Sequence, residues 1–275
     1  MTALSLQLLT VGHARGAVLR GISLDVHKGE VVALLGANGA GKTTLLRTIA
    51  GLAKELEGTI HIEGCPAPNG AAKRAARGIA LSFQNPDDQL FGATVAEDVA
   101  IGPRQTGLSH AEVQRLVVSS LRAAGIEALA ERPIDQLSFG EKRRACLAGV
   151  LAMAPRILLL DEPTAGLDPQ GEMDSARLLA ALARERDMTI LVATHAVDLV
   201  PSFASRVVLL GEGRMLLDAP VREAFADAAL LERARLRAPF AVELWRGLRW
   251  QPDPAPLTLF DARCGLAALL AQGAA

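Results

Sequence analysis

The residues with the clearest capacity for chemistry lie between positions 36 and 44, where three glycines, small side chains, a lysine and two threonines follow one another. Glycines at this spacing let successive backbone N–H groups turn towards one anion, and the lysine can reach the β- and γ-phosphates of a nucleotide. A predicted strand precedes the segment and a predicted helix follows it, which disfavours the alternative of a glycine-rich turn with an unrelated lysine. The predicted phosphate contacts are Gly36, Asn38, Gly39, Gly41, Lys42, Thr43 and Thr44.

Two carboxylates follow an apolar run further along the chain. Residues 157–160 are typical of a central parallel strand, and Asp161 and Glu162 come directly after them. Open α/β sheets bind ligands at the carboxyl ends of their strands, so we expect both carboxylates near the phosphate loop. Asp161 would hold Mg²⁺ together with the Thr43 hydroxyl, and Glu162 would polarise the attacking water. A solvated acidic turn would not explain why charges follow four apolar positions.

A histidine also follows a predicted strand. Residues 189–193 form an apolar run, and Thr194 and His195 come after it. A single histidine is more often structural than catalytic, but its place after a strand end, like that of the two carboxylates, favours a role in the reaction.

A further candidate anion site begins at Ser138, where a predicted helix starts with a serine and a glycine. Such a start presents backbone N–H groups, although a simple serine N-cap would give the same pattern. Lys142, Arg143 and Arg144 are expected in the first turn, where positive charges oppose the helix dipole. An external phosphate would relieve that mismatch.

Composition argues against several classes of function. The chain has 275 residues, half of them apolar, and its formal net charge of -1 gives no electrostatic reason to expect nucleic acid as a partner. Cys65, Cys146 and Cys264 are far apart and odd in number, so we expect reduced, buried thiols and neither a disulfide frame nor a zinc site. No apolar run approaches the roughly eighteen residues of a membrane helix, and the N-terminus lacks a signal-peptide pattern. Any work at a membrane is therefore expected from a peripheral subunit.

The elements that must position these residues follow from hydrophobic periodicity. Strands are predicted over 5–9, 22–26, 30–35, 59–62, 78–83, 157–160 and 189–193, with a hairpin formed by 206–210 and 214–217. A loop carrying Gly12, His13, Arg15 and Gly16 is expected between the first two strands.

The remaining segments are predicted to be mainly helical. Residues 85–153 look like a helical subdomain inserted in a sheet-based core, with one helix over 110–124 capped by Ser109. Another helix is expected over 170–186. The tail is predicted as amphipathic helices over 221–248, a stiff proline-rich linker over 251–256 and a last helix over 261–272.

With these motifs in this order, the chain resembles the ATPase subunits of ATP-binding-cassette (ABC) transporters over roughly residues 4–220. The phosphate loop is similar to the family's Walker A segment, and Asp161-Glu162 end its Walker B segment. The other motifs are the Q-loop Gln84, the signature Leu137-Ser138-Phe139-Gly140-Glu141, the D-loop Asp168 and the switch histidine His195.

The resemblance implies an α/β fold with a P-loop NTPase (RecA-like) core, an antiparallel β-subdomain, an inserted helical subdomain and a short C-terminal helical extension. The implied core with its β-subdomain comprises 1–84 and 154–220. The helical signature subdomain comprises 85–153, and the extension comprises 221–275.

The resemblance also implies a reaction, the hydrolysis of ATP with Mg²⁺ as cofactor. The implied catalytic residues are Glu162, His195 and Gln84, and the implied Mg²⁺ ligands are Thr43, Gln84 and Asp161. In the family the signature helix lies too far from the Walker A loop of its own chain to touch the same nucleotide. A head-to-tail homodimer is therefore implied, in which the residues completing the partner's nucleotide site are Ser138, Gly140 and Asp168.

Three positions depart from the family pattern. Phe139 stands where the signature usually has glycine, and Glu141 stands where it usually has glutamine, while Ser138 and Gly140 are kept. The chain has no tyrosine for the adenine-stacking position, and His13 is the expected substitute; the alternative is a solvated loop histidine.

More narrowly, residues 83–91 and 140–144 resemble the energy-coupling-factor (ECF) importers of the cobalt type. That resemblance implies a transmembrane coupling subunit, substrate-binding membrane subunits and a peripheral place on the cytoplasmic face of the cell membrane. Asp87 and Asp88 would pair with arginines of the membrane partner, or merely favour a helix N-terminus. The chain has no metal-ligand constellation of its own, so cargo choice is expected in another subunit.

Several alternatives stay open at this point. Nickel or a vitamin could replace cobalt as the cargo. A soluble ABC ATPase not coupled to transport is a different class, although such proteins usually carry two cassettes or a long coiled coil. A non-hydrolysing adaptor is disfavoured by the intact Glu162.

Overall fold

The structure is a computed structural model and describes residues 1–14, 16–247 and 255–273. The strands are β1 (Thr2–His13), β2 (Gly16–His27), β3 (Val31–Leu35), β4 (Glu57–Ile62), β5 (Cys65–Pro66), β6 (Ile79–Ser82), β7 (Ile157–Asp161), β8 (Thr189–Thr194), β9 (Arg206–Gly211) and β10 (Arg214–Pro220). The helices are α1 (Lys42–Ile49), α2 (Ala71–Ala76), α3 (Val95–Arg104), α4 (His110–Ala123), α5 (Phe139–Ala152), α6 (Pro169–Arg186), α7 (Val221–Ala226), α8 (Ala228–Arg233), α9 (Phe240–Arg246) and α10 (Leu259–Gly273).

A sheet in the order β10-β9-β3-β8-β7-β6 forms the centre of the core, and its neighbouring strands are parallel except for β9 and β10. β3, β7 and β8 are buried at every residue, which explains their continuous apolar sequences. The register aligns Leu35 with Thr194 and Asp161 with Ala193, so these strands end at one edge. The segments that follow them, with the predicted site residues, therefore leave the sheet side by side.

A second, antiparallel sheet has the order β2-β1-β4-β5 and shares an apolar cluster with α1 and one face of the main sheet. Its first two strands are longer than predicted: β1 reaches His13 and β2 begins at Gly16. The broad loop predicted there is wrong, and Arg15 lies outside the described residues. Register shifts between β1 and β2 break the simple alternation of polar and apolar positions, so periodicity alone recognised only part of each strand.

Helices α3, α4 and α5 form the inserted helical subdomain around their own apolar cluster, which includes Val99, Val117 and Cys146. Each helix begins with a capping box, in which a Ser or Thr side chain and a Glu side chain satisfy N–H groups of the first turn. The turn predicted to open a helix at Pro86 is a single 3₁₀ turn over Pro86–Asp88. The α/β fold with its antiparallel and helical subdomains is thus confirmed.

The C-terminal extension returns to the core. Val221, Phe225, Leu231 and Val242 are buried in the same cluster as one face of the main sheet. Of the predicted linker, residues 251–254 lie outside the described residues, as does the predicted helical end at Leu248. Within the described ranges, no helix combines the length and the apolar character needed to cross a bilayer.

Candidate active site

The loop between β3 and α1 is held close to both sheets. Gly41 has φ 98°, and a Cβ there would lie 2.8 Å from Leu19 of the antiparallel sheet. A Cβ on Gly36 would lie 2.6 Å from the carbonyl oxygen of Leu210 in the main sheet. The glycines at these two positions therefore allow a close approach that a side chain would prevent. Because α1 begins at Lys42, the unpaired N–H groups of its first turn face the loop, as an anion site requires.

Lys42 is buried at the centre of the loop, with only 6 % of its side chain exposed. Its Nζ donates to the Gly36 carbonyl oxygen at 2.7 Å and lies 3.4 Å from Glu162 Oε1. The loop thus brings its cation against the carboxylate that follows β7, although the two residues are far apart in the sequence.

Glu162 is held from two sides. Its Oε2 lies 2.9 Å from His195 Nδ1, while its Oε1 faces Lys42. Its backbone has φ 50°, a left-handed conformation that costs a residue with a Cβ on the order of 1 to 3 kcal/mol. The Glu162 N–H donates to the Ala193 carbonyl oxygen at 2.8 Å, which ties this strained turn to the neighbouring strand β8. The ends of β3, β7 and β8 therefore bring Lys42, Glu162 and His195 close together, as predicted.

Asp161 is buried beside the same loop. Burial raises the pKa of its carboxyl group, and a hydrogen bond with Thr43 partly offsets this rise. Its Oδ1 has no hydrogen-bond partner among the described residues, although buried carboxylate oxygens are normally paired. An unpaired hard oxygen next to a threonine hydroxyl fits Mg²⁺, which takes oxygen ligands and keeps several waters. Asp161 and Thr43 therefore suit the predicted metal.

A cleft of about 350 Å³ lies over the loop. Its lining consists of His13, Val18, Gln84, Glu162 and residues 38–44. His13 Nε2 lies 3.2 Å from Thr44 Oγ1, so the end of β1 meets the first turn of α1. Gln84 is exposed at the opposite wall, after β6. The lining mixes polar groups with backbone amides, which suits a phosphate-bearing ligand.

Ser138, Gly140 and Asp168 are not among the residues that line this cleft. Ser138 caps α5, where its hydroxyl accepts from the Glu141 N–H and the Glu141 carboxylate accepts from the Ser138 N–H at 2.8 Å. The hydrogen bond from the Ser138 N–H, followed by that from the Ser138 hydroxyl, lowers the pKa of the Glu141 carboxyl group. Asp168 caps α6 by accepting from the Gly171 N–H at 2.7 Å. The signature segment is thus not part of the cleft over the phosphate loop of its own chain.

The predicted excess of positive charge in the first turn of α5 is wrong. That turn contains Glu141, and the three cations follow it with partners inside the chain. Lys142 pairs with Asp87 at 2.7 Å, Arg143 donates to the carbonyl oxygens of Glu162 and Gln84, and Arg144 lies 3.6 Å from Asp174. Arg143 is the functional candidate that sequence reasoning missed, because nothing in a local pattern indicates two distant carbonyl partners.

Comparison with known proteins decides the family. A family model described as ABC transporter matches residues 19–165. This chain belongs to the ABC transporter ATPase family. The energy-coupling factor transporter ATP-binding protein EcfA of Methanocaldococcus jannaschii is 43% identical over 230 residues, which cover 83% of this ABC ATPase and 82% of EcfA.

Solved structures agree with that assignment. The structure of cbiO1 from Clostridium perfringens, described as part of the ABC transporter complex cbiONQ, is 38% identical with a TM-score of 0.76 and covers 86% of this ABC ATPase and 95% of cbiO1. An ATP-binding cassette solved as a dimer in a post-hydrolysis state with ADP and Pi is 27% identical, with a TM-score of 0.71 over 80% of this chain and 99% of that one.

Family and site together establish the activity. This ABC ATPase binds ATP and couples its hydrolysis to transport, as the ATPase subunit of an ECF-type ABC transporter. The predicted family, fold and enzymatic activity are confirmed. The roles of the individual site residues stay predictions, and they are taken up below.

Proposed function

We propose that this ABC ATPase acts as a head-to-tail homodimer that clasps ATP between the Walker A loop of one copy and the signature helix of the other. The observation that carries the proposal is the position of Ser138 and Gly140, which lie outside the cleft formed by their own phosphate loop. A capped but exposed helix start is suited to an anion supplied by a second molecule. The similar cassette that was solved as a dimer with ADP and Pi supports the proposal of a dimer.

The roles inside each site follow from charge and geometry. Lys42 would exchange its Gly36 and Glu162 contacts for the β- and γ-phosphates, because phosphate is the stronger anionic partner. Glu162 would then polarise the attacking water, while His195 holds its Oε2 and stands beside the γ-phosphate. Mg²⁺, held by Asp161, Thr43 and Gln84, would supply positive charge against the phosphates when bound.

The contacts at the edges of the cleft have more specific proposed tasks. His13 would stack on the adenine, since it stands at the end of β1 beside the first turn of α1. The remaining phosphate contacts would come from backbone N–H groups of the loop and from the side chains of Asn38 and Thr44. Ser138, Gly140 and Asp168 would serve the partner's nucleotide.

For the cargo we propose a transition-metal ion, with cobalt first and nickel or a vitamin as alternatives. The support is the likeness to cbiO1, which is part of the ABC transporter complex cbiONQ. Within the described residues no group of three or more His, Cys, Asp or Glu side chains could hold a metal ion, so other subunits would select the cargo. The ATPase would sit peripherally on the cytoplasmic face of the membrane, bound to a coupling subunit and substrate-binding subunits.

Asp87 and Asp88 are the proposed contacts to the coupling subunit. Asp87 already pairs with Lys142, so an arginine of the partner would have to share or displace that lysine, whereas Asp88 is exposed. If reversing both charges left co-purification with the membrane subunits unchanged, this part of the proposal would be wrong.

The transport proposal is tested in inverted membrane vesicles that contain the whole complex. ATP-dependent movement of radioactive cobalt from the vesicle lumen to the outside, where the ATPase lies, should be lost with Glu162→Gln, and excess nickel in the lumen should reduce it only if both ions share the pathway. If the complex transported a vitamin but not cobalt, the vitamin would replace cobalt as the proposed cargo. If the purified protein had full ATPase activity and no membrane subunit co-purified with it, a soluble ABC ATPase would be favoured instead.

A further inference from the structure

The guanidinium group of Arg143 joins three segments that the reaction uses. Its Nη1 donates to the Glu162 carbonyl oxygen at 2.7 Å, and its Nη2 donates to the Gln84 carbonyl oxygen at 2.9 Å. Arg143 itself lies on α5, little more than one turn after Ser138. One planar group therefore spans the signature helix, the Q-loop and the end of β7.

Both acceptors belong to backbone whose position matters. Glu162 has the left-handed conformation described above, which persists only where its surroundings hold it. Gln84 is exposed and follows the end of β6, outside any helix or strand. A guanidinium can donate to two separate carbonyl oxygens in a fixed plane, whereas a lysine ammonium is a single point. The geometry thus requires arginine at this position and not only a positive charge.

The turn that follows Gln84 has other contacts with α5, and these differ from the contacts of Arg143. Gln89 Nε2 donates to the Cys146 carbonyl oxygen at 3.0 Å, and Lys142 pairs with Asp87. Those contacts join the turn that follows Gln84 to α5 within the helical subdomain. The bond from Arg143 to Glu162 crosses to the core, so that the two catalytic segments share one anchor.

Arg143 is partly buried, and the nearby charges of Glu162 and Asp161 only partly offset the cost of removing its guanidinium group from water. Within the described part of the chain it forms no ion pair, and its Nε is buried with no acceptor. A cation placed against two carbonyl dipoles is a costly way to gain stability, because much of its hydration is lost. The cost of burying the Arg143 guanidinium is explained if the reaction needs the carbonyl groups of Glu162 and Gln84 to stay in place.

Phe139 supplies a second, independent observation. Its ring centre lies 5.1 Å from the Arg143 guanidinium carbon, within cation–π range. The same ring packs on Gly166, where a Cβ would lie 2.8 Å from Phe139 Cε1. The signature residue that departs from the family pattern therefore covers Arg143 and connects it to the loop before Asp168.

We propose that Arg143, covered by Phe139, is a positioning residue for ATP hydrolysis. It fixes the backbone of Gln84 and Glu162 to α5, so that both side chains keep their places relative to each other and to the signature helix. The inference rests on the proposed roles of Gln84 and Glu162, and it assigns Arg143 no contact with ATP.

The test compares Arg143→Lys and Arg143→Met with Lys142→Met in the full-length protein. Lys142→Met is the matched control, because it removes a neighbouring cation and its ion pair but leaves both carbonyl bonds. We expect kcat to fall about 10- to 100-fold in both Arg143 variants, since small displacements of catalytic groups cost that much. The dissociation constant for ATP should stay within about twofold of wild type in all three variants. The kcat of Lys142→Met should also stay within about twofold of wild type.

Three further measurements keep the outcome unambiguous. Thermal unfolding of each variant gives the folded fraction, so a purely structural role would lower Tm while kcat per folded molecule stayed normal. Phe139→Leu, which keeps an apolar cover but removes the ring, should lower kcat less than Arg143→Met. The Mg²⁺ concentration for half-maximal rate should rise in the Arg143 variants, because Gln84 is a proposed ligand.

Wild-type kcat in Arg143→Lys, or a loss explained fully by weaker ATP binding or unfolding, would overturn the inference. Glu162→Gln is assayed in parallel. If that variant stays active, the proposed roles themselves are wrong; if it is inactive while Arg143→Lys is normal, only the inference about Arg143 fails.

Discussion

Glu162 lies between a cation and an imidazole, an arrangement that suits its proposed role as the general base. Lys42 faces one carboxylate oxygen and His195 faces the other, while burial keeps bulk water away. Such a carboxylate is oriented before substrate arrives, which is a condition for effective general-base catalysis. The left-handed backbone at Glu162 is part of the same orientation.

Glu162→Gln should therefore lower kcat by about 10² to 10⁴, the usual contribution of a general base, while ATP still binds. Because the glutamine is similar in shape, ATP should accumulate in a closed dimer that size-exclusion chromatography with light scattering detects. Lys42→Ala is the contrasting variant and should lose ATP binding as well as turnover. Wild-type turnover in Glu162→Gln would show that another group activates the water.

At the scale of elements, two helices of the helical subdomain begin in the same way and yet differ in their proposed tasks. Ser109 caps α4 and Ser138 caps α5, each with a glutamate in a capping box. The two serines are thus chemically matched, but only Ser138 belongs to the signature.

Ser109→Ala should cost about 1 kcal/mol of unfolding free energy and leave kcat unchanged, because only a helix cap is lost. Ser138→Ala should cost a similar amount of stability and also lower the rate of hydrolysis. Urea unfolding and phosphate release measure the two effects separately. Equal ATPase rates in the two variants would contradict a nucleotide contact by Ser138.

Burial within α5 also controls the reactivity of Cys146. Burial raises the pKa of this thiol to about 12, so at pH 8 it stays protonated in the folded protein. Cys65 and Cys264 are exposed, so the expectation of buried thiols is wrong for these two. Iodoacetamide at that pH should modify both quickly, and Cys146 only after denaturation. Mass spectrometry of native and urea-treated samples gives the number of modified cysteines. Rapid labelling of all three in the native protein would mean that the helical subdomain opens readily.

The elements also show how far sequence could predict this molecule. The phosphate loop, Asp161-Glu162 and His195 follow apolar strands, and parallel strands end at one edge, so their meeting was predictable. The extent of β1 and β2 was not, because their irregular pairing hides the period. The partners of Arg143 were also hidden, since Glu162 and Gln84 are 19 and 59 residues away and offer carbonyl groups that every residue has.

At the scale of the whole molecule, the proposed dimer makes a prediction that no single chain can satisfy. Each composite site needs Lys42 from one copy and Ser138 from the other. Mixing Lys42→Ala with a signature variant, Ser138→Arg, creates dimers in which one of the two sites is intact.

Each variant alone should be almost inactive, and an equal mixture should recover up to about a quarter of wild-type activity, because half of the dimers then carry one good site. Wild-type activity per molecule should also fall on dilution as dimers dissociate. A mixture no more active than its components, together with a rate strictly proportional to enzyme concentration, would indicate sites built within one chain.

The close approach of Gly41 to Leu19 and of Gly36 to Leu210 has a consequence for any attempt to shorten this protein. One contact belongs to the antiparallel sheet and the other to the parallel sheet, so neither sheet alone shapes the loop. A minimal enzyme cannot therefore be obtained by trimming residues 1–27 from the core, even though every motif from the Walker A segment to the switch histidine would survive the cut. The smallest working unit must include this N-terminal segment, which carries His13 and forms one wall of the loop.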